Sequence, residues 1–424
     1  MSSLLVALLI SYNPFVEWYL MGHGALGGSR LRGALGLLAL TFLLCRALVV
    51  SIKRREATSS LVLTPSALKI PGPEILFWVA LVYAFGVGVL TNHFTAYTVL
   101  DLFPLLELAV VTFVSRLFFS HASAREISRF LYRLMLVFGV MAAFDIGIYY
   151  ALTFHFHRTF GALQAYVDGV TVNRLMDFLA PIGTVLGLVF SVHQLKLRNK
   201  FTPAVVAALC MIVTMLSYYR SVYMAVAVVA LLLLWYLRSV FYRNAFEIAL
   251  LLAVIASVSA FALSRSNVAD QIQRRFSSIF EKEDPNISNA VTGRLAQYPN
   301  AFHFVAEHPL GMGAGAVMNG DTPVFVTSNY FLQLLMLLGI PLGGLMVITL
   351  LRGLTRDVFR SVFRRYREHR QTRLALIGVC GVLVIELMIF PYVMYFPMMF
   401  LIAVTLSASR RLAQLEGEAQ VAFK

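Results

Sequence analysis

Arginine is the residue type in this chain with the most chemistry to offer. Arg220 sits in Tyr218-Tyr219-Arg220-Ser221, a turn between two apolar runs that is too short to be a free loop. Arg174 opens another apolar run just after Val172-Asn173, and Arg294 follows Gly293 in a long polar stretch that also holds Arg265, Arg274 and Arg275. A guanidinium is planar and presents two donors at once to phosphate oxygens, so arginines fixed at a membrane surface suit a diphosphate. The competing account for most of them is snorkelling, in which the charged head reaches interfacial water and nothing more. Arg220, pinned in its turn, has the least freedom to do that.

Proton transfer would fall to other groups. His303, Glu307, His308 and Asp321 are the candidates for a general base, and His303 and Glu307, one helical turn apart, are also placed to pair with each other. Gly311, Gly313 and Gly315 alternate in a way that could cradle an anion on backbone amides, although tight loop packing explains the same spacing. No Asp-x-Asp occurs in the chain, and Glu283-Asp284 lies in a polar segment that reads as solvated, so no metal site is expected. Cys45, Cys210 and Cys380 each lie inside an apolar run, where they read as small buried hydrophobes.

The elements that must position these residues are membrane spans. Of 424 residues 59% are hydrophobic and 13% charged, against roughly 25% charged in soluble domains. A chain this apolar needs lipid as part of its solvent. Apolar runs of spanning length lie at about 2–21, 31–51, 74–92, 99–119, 130–152, 174–193, 203–219, 221–240, 245–263, 326–351, 374–390 and 391–408. The first has no basic leader region and no small-residue cleavage site, so it reads as a retained span.

The net charge of +14 reflects basic residues in short loops, which set orientation and do not call for nucleic acid. Most of the 35 Lys+Arg fall on the inner side when both termini are cytoplasmic, including Lys53-Arg54-Arg55 and the Arg-rich stretch 352–373, which reads as a solvated inner loop. The expected architecture is therefore an all-α integral membrane protein, one polytopic domain over 1–424 with about 12 transmembrane helices. Its largest loop, 264–325, falls between helices 9 and 10 on the outer, periplasmic face. A second outer loop, about 153–173, carries His155, His157, Arg158 and Asp168. Leu295, Tyr298, Phe302 and Val305 recur at helical spacing in the large loop and predict a surface helix, which Pro299 would kink or restart.

Arg294-Leu295-x-x-Tyr298, then Glu307-x-Pro309-Leu310-Gly311-x-Gly313, then Asn329-x-x-Leu332-Gln333 with Gly339-Ile340-Pro341 resemble the O-antigen polymerase and O-antigen ligase superfamily. The Arg220 turn resembles that family's Ser-Arg turn, and Arg174 its arginine before a Gly- and Pro-containing span. The motifs are spread over about 170–345. The resemblance implies a GT-C type membrane glycosyltransferase of the bacterial inner membrane with its active site on the periplasmic side. It implies a saccharide donor on undecaprenyl diphosphate, no cofactor, and membrane lipids and a chain-length regulator as further partners. Ligases of the family carry a His just before the Asn that opens the late span; Ser328 stands there in this chain, before Asn329. That departure leans towards a polysaccharide polymerase and leaves the base unassigned.

In such a transfer a sugar hydroxyl attacks the anomeric carbon of another sugar and a lipid diphosphate leaves with its charge. Arg220 and Arg294, helped by Arg174, would hold that charge in place of a metal. Arg265, Arg275, Ser328 and Asn329 complete the expected substrate-binding set, with Glu307 and His308 as the groups nearest to catalysis.

Two other classes fit part of the pattern. The intramembrane acids Glu107, Asp145 and Glu386 suit a secondary transporter or flippase, but the chain has no internal repeat and its large loop divides the spans nine to three. The arginines of 352–373 would suit a scaffold bound to anionic lipid, which is compatible with any activity.

Overall fold

The computed structural model describes residues 37–46, 72–92, 94–150, 164–167, 170–173, 180–194, 201–216, 225–229, 292–318, 322–323, 329–363, 370–389 and 396–422, with single positions at 49, 231, 253 and 257. These residues are predominantly helical. The longer elements are α1 (Gly72–Asn92), α2 (Ala96–Phe119), α3 (Ala124–Tyr150), α4 (Ala180–Gln194), α5 (Phe201–Leu216), α6 (Thr292–Glu307), α7 (Tyr330–Phe363), α8 (Arg370–Ile389) and α9 (Phe396–Ala422). Two small antiparallel hairpins lie in the connections: β1 (Gln164–Val167) with β2 (Val170–Asn173), and β3 (Val317–Met318) with β4 (Thr322–Pro323). The helical class expected from the apolar runs holds, with these hairpins as local exceptions. Val167 pairs with Val170, so a segment expected only as outer loop is a tight hairpin.

Among the described residues, three helices are long and apolar enough to cross a membrane: Gly72–Asn92, Tyr97–Phe119 and Tyr330–Arg356. Leu37–Arg46, Ile182–Ser191 and Ala375–Met388 are shorter apolar helices. The expected runs at 2–21, 221–240 and 245–263 fall largely outside the described residues. α1 turns Ile75, Val79, Val82 and Leu90 outward, a continuous apolar face that water would not tolerate and lipid would cover. The described side chains of α8 from Thr372 to Leu387 and of α9 from Met398 to Ser409 are buried on nearly every side, as befits helices at the centre of a bundle.

Local signals explain several helix ends. Thr95 caps α2, exchanging hydrogen bonds with Thr98 in a capping box. Ser123 and Glu126 do the same for α3: the Ser123 amide donates to the Glu126 carboxylate at 2.9 Å and the Glu126 amide to the Ser123 hydroxyl at 3.3 Å. α7 continues as helix through Phe363, so residues 352–363 extend the span where a solvated loop was expected.

α1 packs on α2 and α7, α2 on α9, α3 on α4, and α8 on α3, α4 and α7. One end of this bundle is tied by charge. Glu74, 2% exposed, lies between Arg116 Nε and Arg410 Nη1, each at 2.9 Å from one of its carboxylate oxygens. Arg373 pairs with Glu416, the Thr372 hydroxyl donates to the Ala124 carbonyl at 3.0 Å, and Arg411 Nε donates to the Ala122 carbonyl at 3.2 Å. The start of α1, end of α2, start of α3, start of α8 and end of α9 therefore meet at the same end. The α1–α2 turn, the C-terminus of α6 and the start of α7 gather at the other.

Candidate functional site

α6 stops at Glu307, and the segment His308 to Ala316 then runs between α1 and a break in α7. The break begins at Gly339, whose φ of 76° and ψ of 177° no helix contains. Pro341 has no amide hydrogen, so the Leu337 carbonyl four residues earlier loses its helical donor. The Gly313 amide supplies one instead, at 3.0 Å. The Ile340 amide turns away to the Pro309 carbonyl at 2.8 Å, and the Met336 carbonyl it would have served accepts from the Met312 amide at 3.2 Å. The Met336 and Leu337 carbonyls and the Ile340 amide, all freed by the Gly-Ile-Pro break, are thus satisfied by the Pro-Leu-Gly-x-Gly loop, as buried backbone must be.

Glycine is required at this junction. Gly311, Gly313 and Gly315 all have φ between 71° and 85°, a region that residues with a Cβ seldom occupy. A Cβ on Gly313 would run into the backbone of Gly88, and one on Gly339 into the Leu310 carbonyl carbon. The three loop glycines also spend their amides within the protein: Gly311 donates to His308 O at 2.8 Å, Gly313 to Leu337 O, and Gly315 to Asp101 Oδ2 at 2.8 Å. Their alternation serves close packing; it does not leave a nest of amides for an anion.

The outer side of the loop is read by side chains of α1 and α2. The Tyr83 hydroxyl donates to Leu310 O at 2.7 Å and the Thr91 hydroxyl to Met312 O at 2.8 Å. Asn92 Nδ2 donates to Met312 O at 2.6 Å and Ala314 O at 3.3 Å, and the Ala314 amide reaches the Ala84 carbonyl at 2.8 Å. Asp101 is 1% exposed, and Gln333, also buried, lies beside its carboxylate.

α6 forms where its periodicity predicts it, with Pro299 inside the helix. Its buried arc is Ala301, Phe304 and Val305 with Tyr298 partly covered, and it packs against α7. Phe302, expected on that face, is 58% exposed because one residue rotates it about 100° from Ala301. Beside this helix lies an open depression of about 490 Å³ lined by Asn300, His303, Phe304, Glu307, His308 and Val317. His303 Nδ1 stands 3.2 Å from Glu307 Oε2, both well exposed at 74% and 57%. Phe304 and His308 stack edge to face with ring centroids 4.9 Å apart.

The structure thus brings Glu307 and His308 together with His303 at one rim. Arg294 is on the first turn of the same helix, and at 1.5 Å per residue its backbone is about 20 Å from that of Glu307. Asn329 caps α7: its Oδ1 accepts from the Phe331 and Leu332 amides at 3.0 and 3.2 Å. Arg174, Arg220, Arg265, Arg275 and Ser328 lie outside the described residues, as do His155, His157, Arg158, Asp168 and Asp321. Glu107 and Glu386 are buried in α2 and α8. Among the described residues no three His, Cys, Asp or Glu side chains converge as metal ligands would.

Residues 204–348 match the family model described as O-Antigen ligase. That stretch is similar to the family. The match covers about a third of the sequence and contains most of α5, all of α6, the glycine loop and the first half of α7, so the motifs that carried the resemblance to O-antigen polymerases and ligases fall inside it, apart from Arg174. None of the curated proteins matches the chain. The residues that grip the matched segment from outside, Tyr83, Thr91, Asn92 and Asp101, were not singled out by sequence. Asp101 offered a signal, a carboxylate near the start of an apolar run, where acids are costly.

Proposed function

We propose that this chain is a membrane glycosyltransferase that polymerises oligosaccharide repeat units carried on undecaprenyl diphosphate. It would span the bacterial inner membrane about a dozen times in the manner of GT-C type enzymes, with both termini cytoplasmic and the large loop periplasmic. The observation that carries this reading is the O-antigen ligase family match falling on a segment whose loop is locked into α7 beside the His303–Glu307–His308 rim. The charge rule, with most basic residues between spans on the side of both termini, supports the orientation.

In the proposed reaction an acceptor hydroxyl attacks the anomeric carbon of the donor sugar. A new glycosidic C–O bond forms, the C–O bond to the diphosphate breaks, and the hydroxyl proton passes to a base. Glu307 or His308, at the open depression, would take it. Arg220 and Arg294, with Arg174, Arg265 and Arg275, would hold the leaving diphosphate through paired guanidinium donors without a metal.

Ligation to a lipid A-core acceptor is the second reading, favoured by the description of the matched family as O-Antigen ligase. Ser328, where the resembling ligases carry His, favours polymerisation. The purified protein in detergent, given lipid-linked repeat units, should yield a ladder of longer lipid-linked saccharides. Product only on addition of lipid A-core would establish the ligase instead. No product with either acceptor would overturn the transferase reading and favour transport, which needs a sealed compartment.

A further inference from the structure

We propose that Tyr83, Thr91, Asn92 and Asp101 form a clamp that positions the glycine loop for transfer, so that α1 and α2, outside the family-matched segment, are part of the catalytic apparatus. The loop has little with which to hold itself. Three of its residues from Gly311 to Gly315 are glycines with no side chain, and its backbone is fixed by donors and acceptors that neighbouring helices supply. On one side these are the carbonyls of the broken α7. On the other they are four side chains that between them engage the carbonyls of Leu310, Met312 and Ala314 and the amide of Gly315.

Asp101 is the deepest of the four. Its carboxylate accepts the Gly315 amide, and with no such acceptor that buried amide would be left unsatisfied. The loop is continuous with His308, the last residue of the rim, whose amide is bonded to Phe304 O at 3.0 Å at the end of α6. In this proposal the loop, joined to His308, sets where Glu307 and His308 stand relative to α1 and α2. These four side chains touch the loop and act through it.

The inference rests on the transfer reading, and two separate readouts keep the two apart. Hydrogen exchange of residues 309–316 and transfer kinetics with lipid-linked repeat units are measured on the full chain in detergent. Asp101→Leu, which cannot accept the Gly315 amide, should raise exchange in 309–316 and lower kcat about 10²-fold, the scale of a misplacement of about 1 Å, with donor KM nearly unchanged. Asp101→Asn keeps an acceptor oxygen and should retain kcat within about twofold. Tyr83→Phe, which removes a single hydroxyl and should not impair folding, should raise exchange around Leu310 and lower kcat by a smaller factor. Unchanged exchange in both Asp101→Leu and Tyr83→Phe would overturn the clamp. Raised exchange with unchanged kcat would overturn its role in positioning. A wild-type chain inactive on every acceptor would overturn the transfer reading alone, and the exchange difference would still decide whether the clamp exists.

Discussion

The Ile340 amide donates to the Pro309 carbonyl at 2.8 Å, which couples two motifs some thirty residues apart in sequence. Gly-Ile-Pro opens α7, and Pro-Leu-Gly-x-Gly fills the opening with its own backbone. Neither has a satisfied backbone without the other, so the segment from α6 to α7 is held as one unit at the end of the bundle where chemistry is proposed.

Gly339→Ala should destabilise the protein sharply. The substitution places a Cβ against the Leu310 carbonyl carbon and forces a positive φ on a residue that resists it. Backbone strain of this kind costs about 1–3 kcal/mol, and the clash adds to it. Thermal unfolding in detergent should show a lower Tm than wild type; an equal Tm would mean that α7 can close its break without the loop.

Glu74 neutralises two arginines at the other end of the bundle. Glu74→Ala leaves Arg116 and Arg410 close together without the carboxylate they share, and because both guanidinium groups are partly exposed the cost falls below the figure of about 3–5 kcal/mol for a fully buried pair. Yield and Tm should both fall, while a variant with Tm close to wild type would show that the arginines find other partners without loss.

Asn329 lies in the family-matched segment yet its side-chain oxygen is occupied by the first amides of α7. Asn329→Ala should cost about 1 kcal/mol as a lost helix cap, and Asn329→Asp should restore it. If Asn329→Asp regains stability but not turnover, the amide nitrogen has a role in binding substrate beyond the cap.

Glu307 and His303 pair at the surface, so His303→Ala should change stability by less than about 1 kcal/mol. Glu307→Gln, if Glu307 is the base, should lower kcat about 10²-fold with KM little changed. Should both variants turn over like wild type, the base would have to be His308 or a group elsewhere.

The helices were legible where composition alone decides them. α1 and α2 are apolar runs with clear ends, and α6 shows its 3.6-residue period through Tyr298 and Val305 despite Pro299. The hairpin of β1 and β2 had a readable signal, Asp168-Gly169 between the alternating residues Gln164–Val167 and Val170–Asn173, which the length of the surrounding loop obscured. The docking of the glycine loop was not legible. Glycines have no side chain to advertise a partner, and the bonds that hold them are backbone groups of α7 and side chains more than two hundred residues away, such as Asp101. The spacing of the alternating glycines did point to tight loop packing, but not to the partners that take their amides.

The most direct test of the central claim compares wild type with Arg220→Ala and Arg294→Ala in detergent, using lipid-linked repeat units with and without a chelator. The account predicts a polymer ladder that survives the chelator and a loss of about 10²–10³-fold in rate for each variant at equal expression. A ladder made at near-normal rate by both variants, or one abolished by the chelator in wild type, would contradict it.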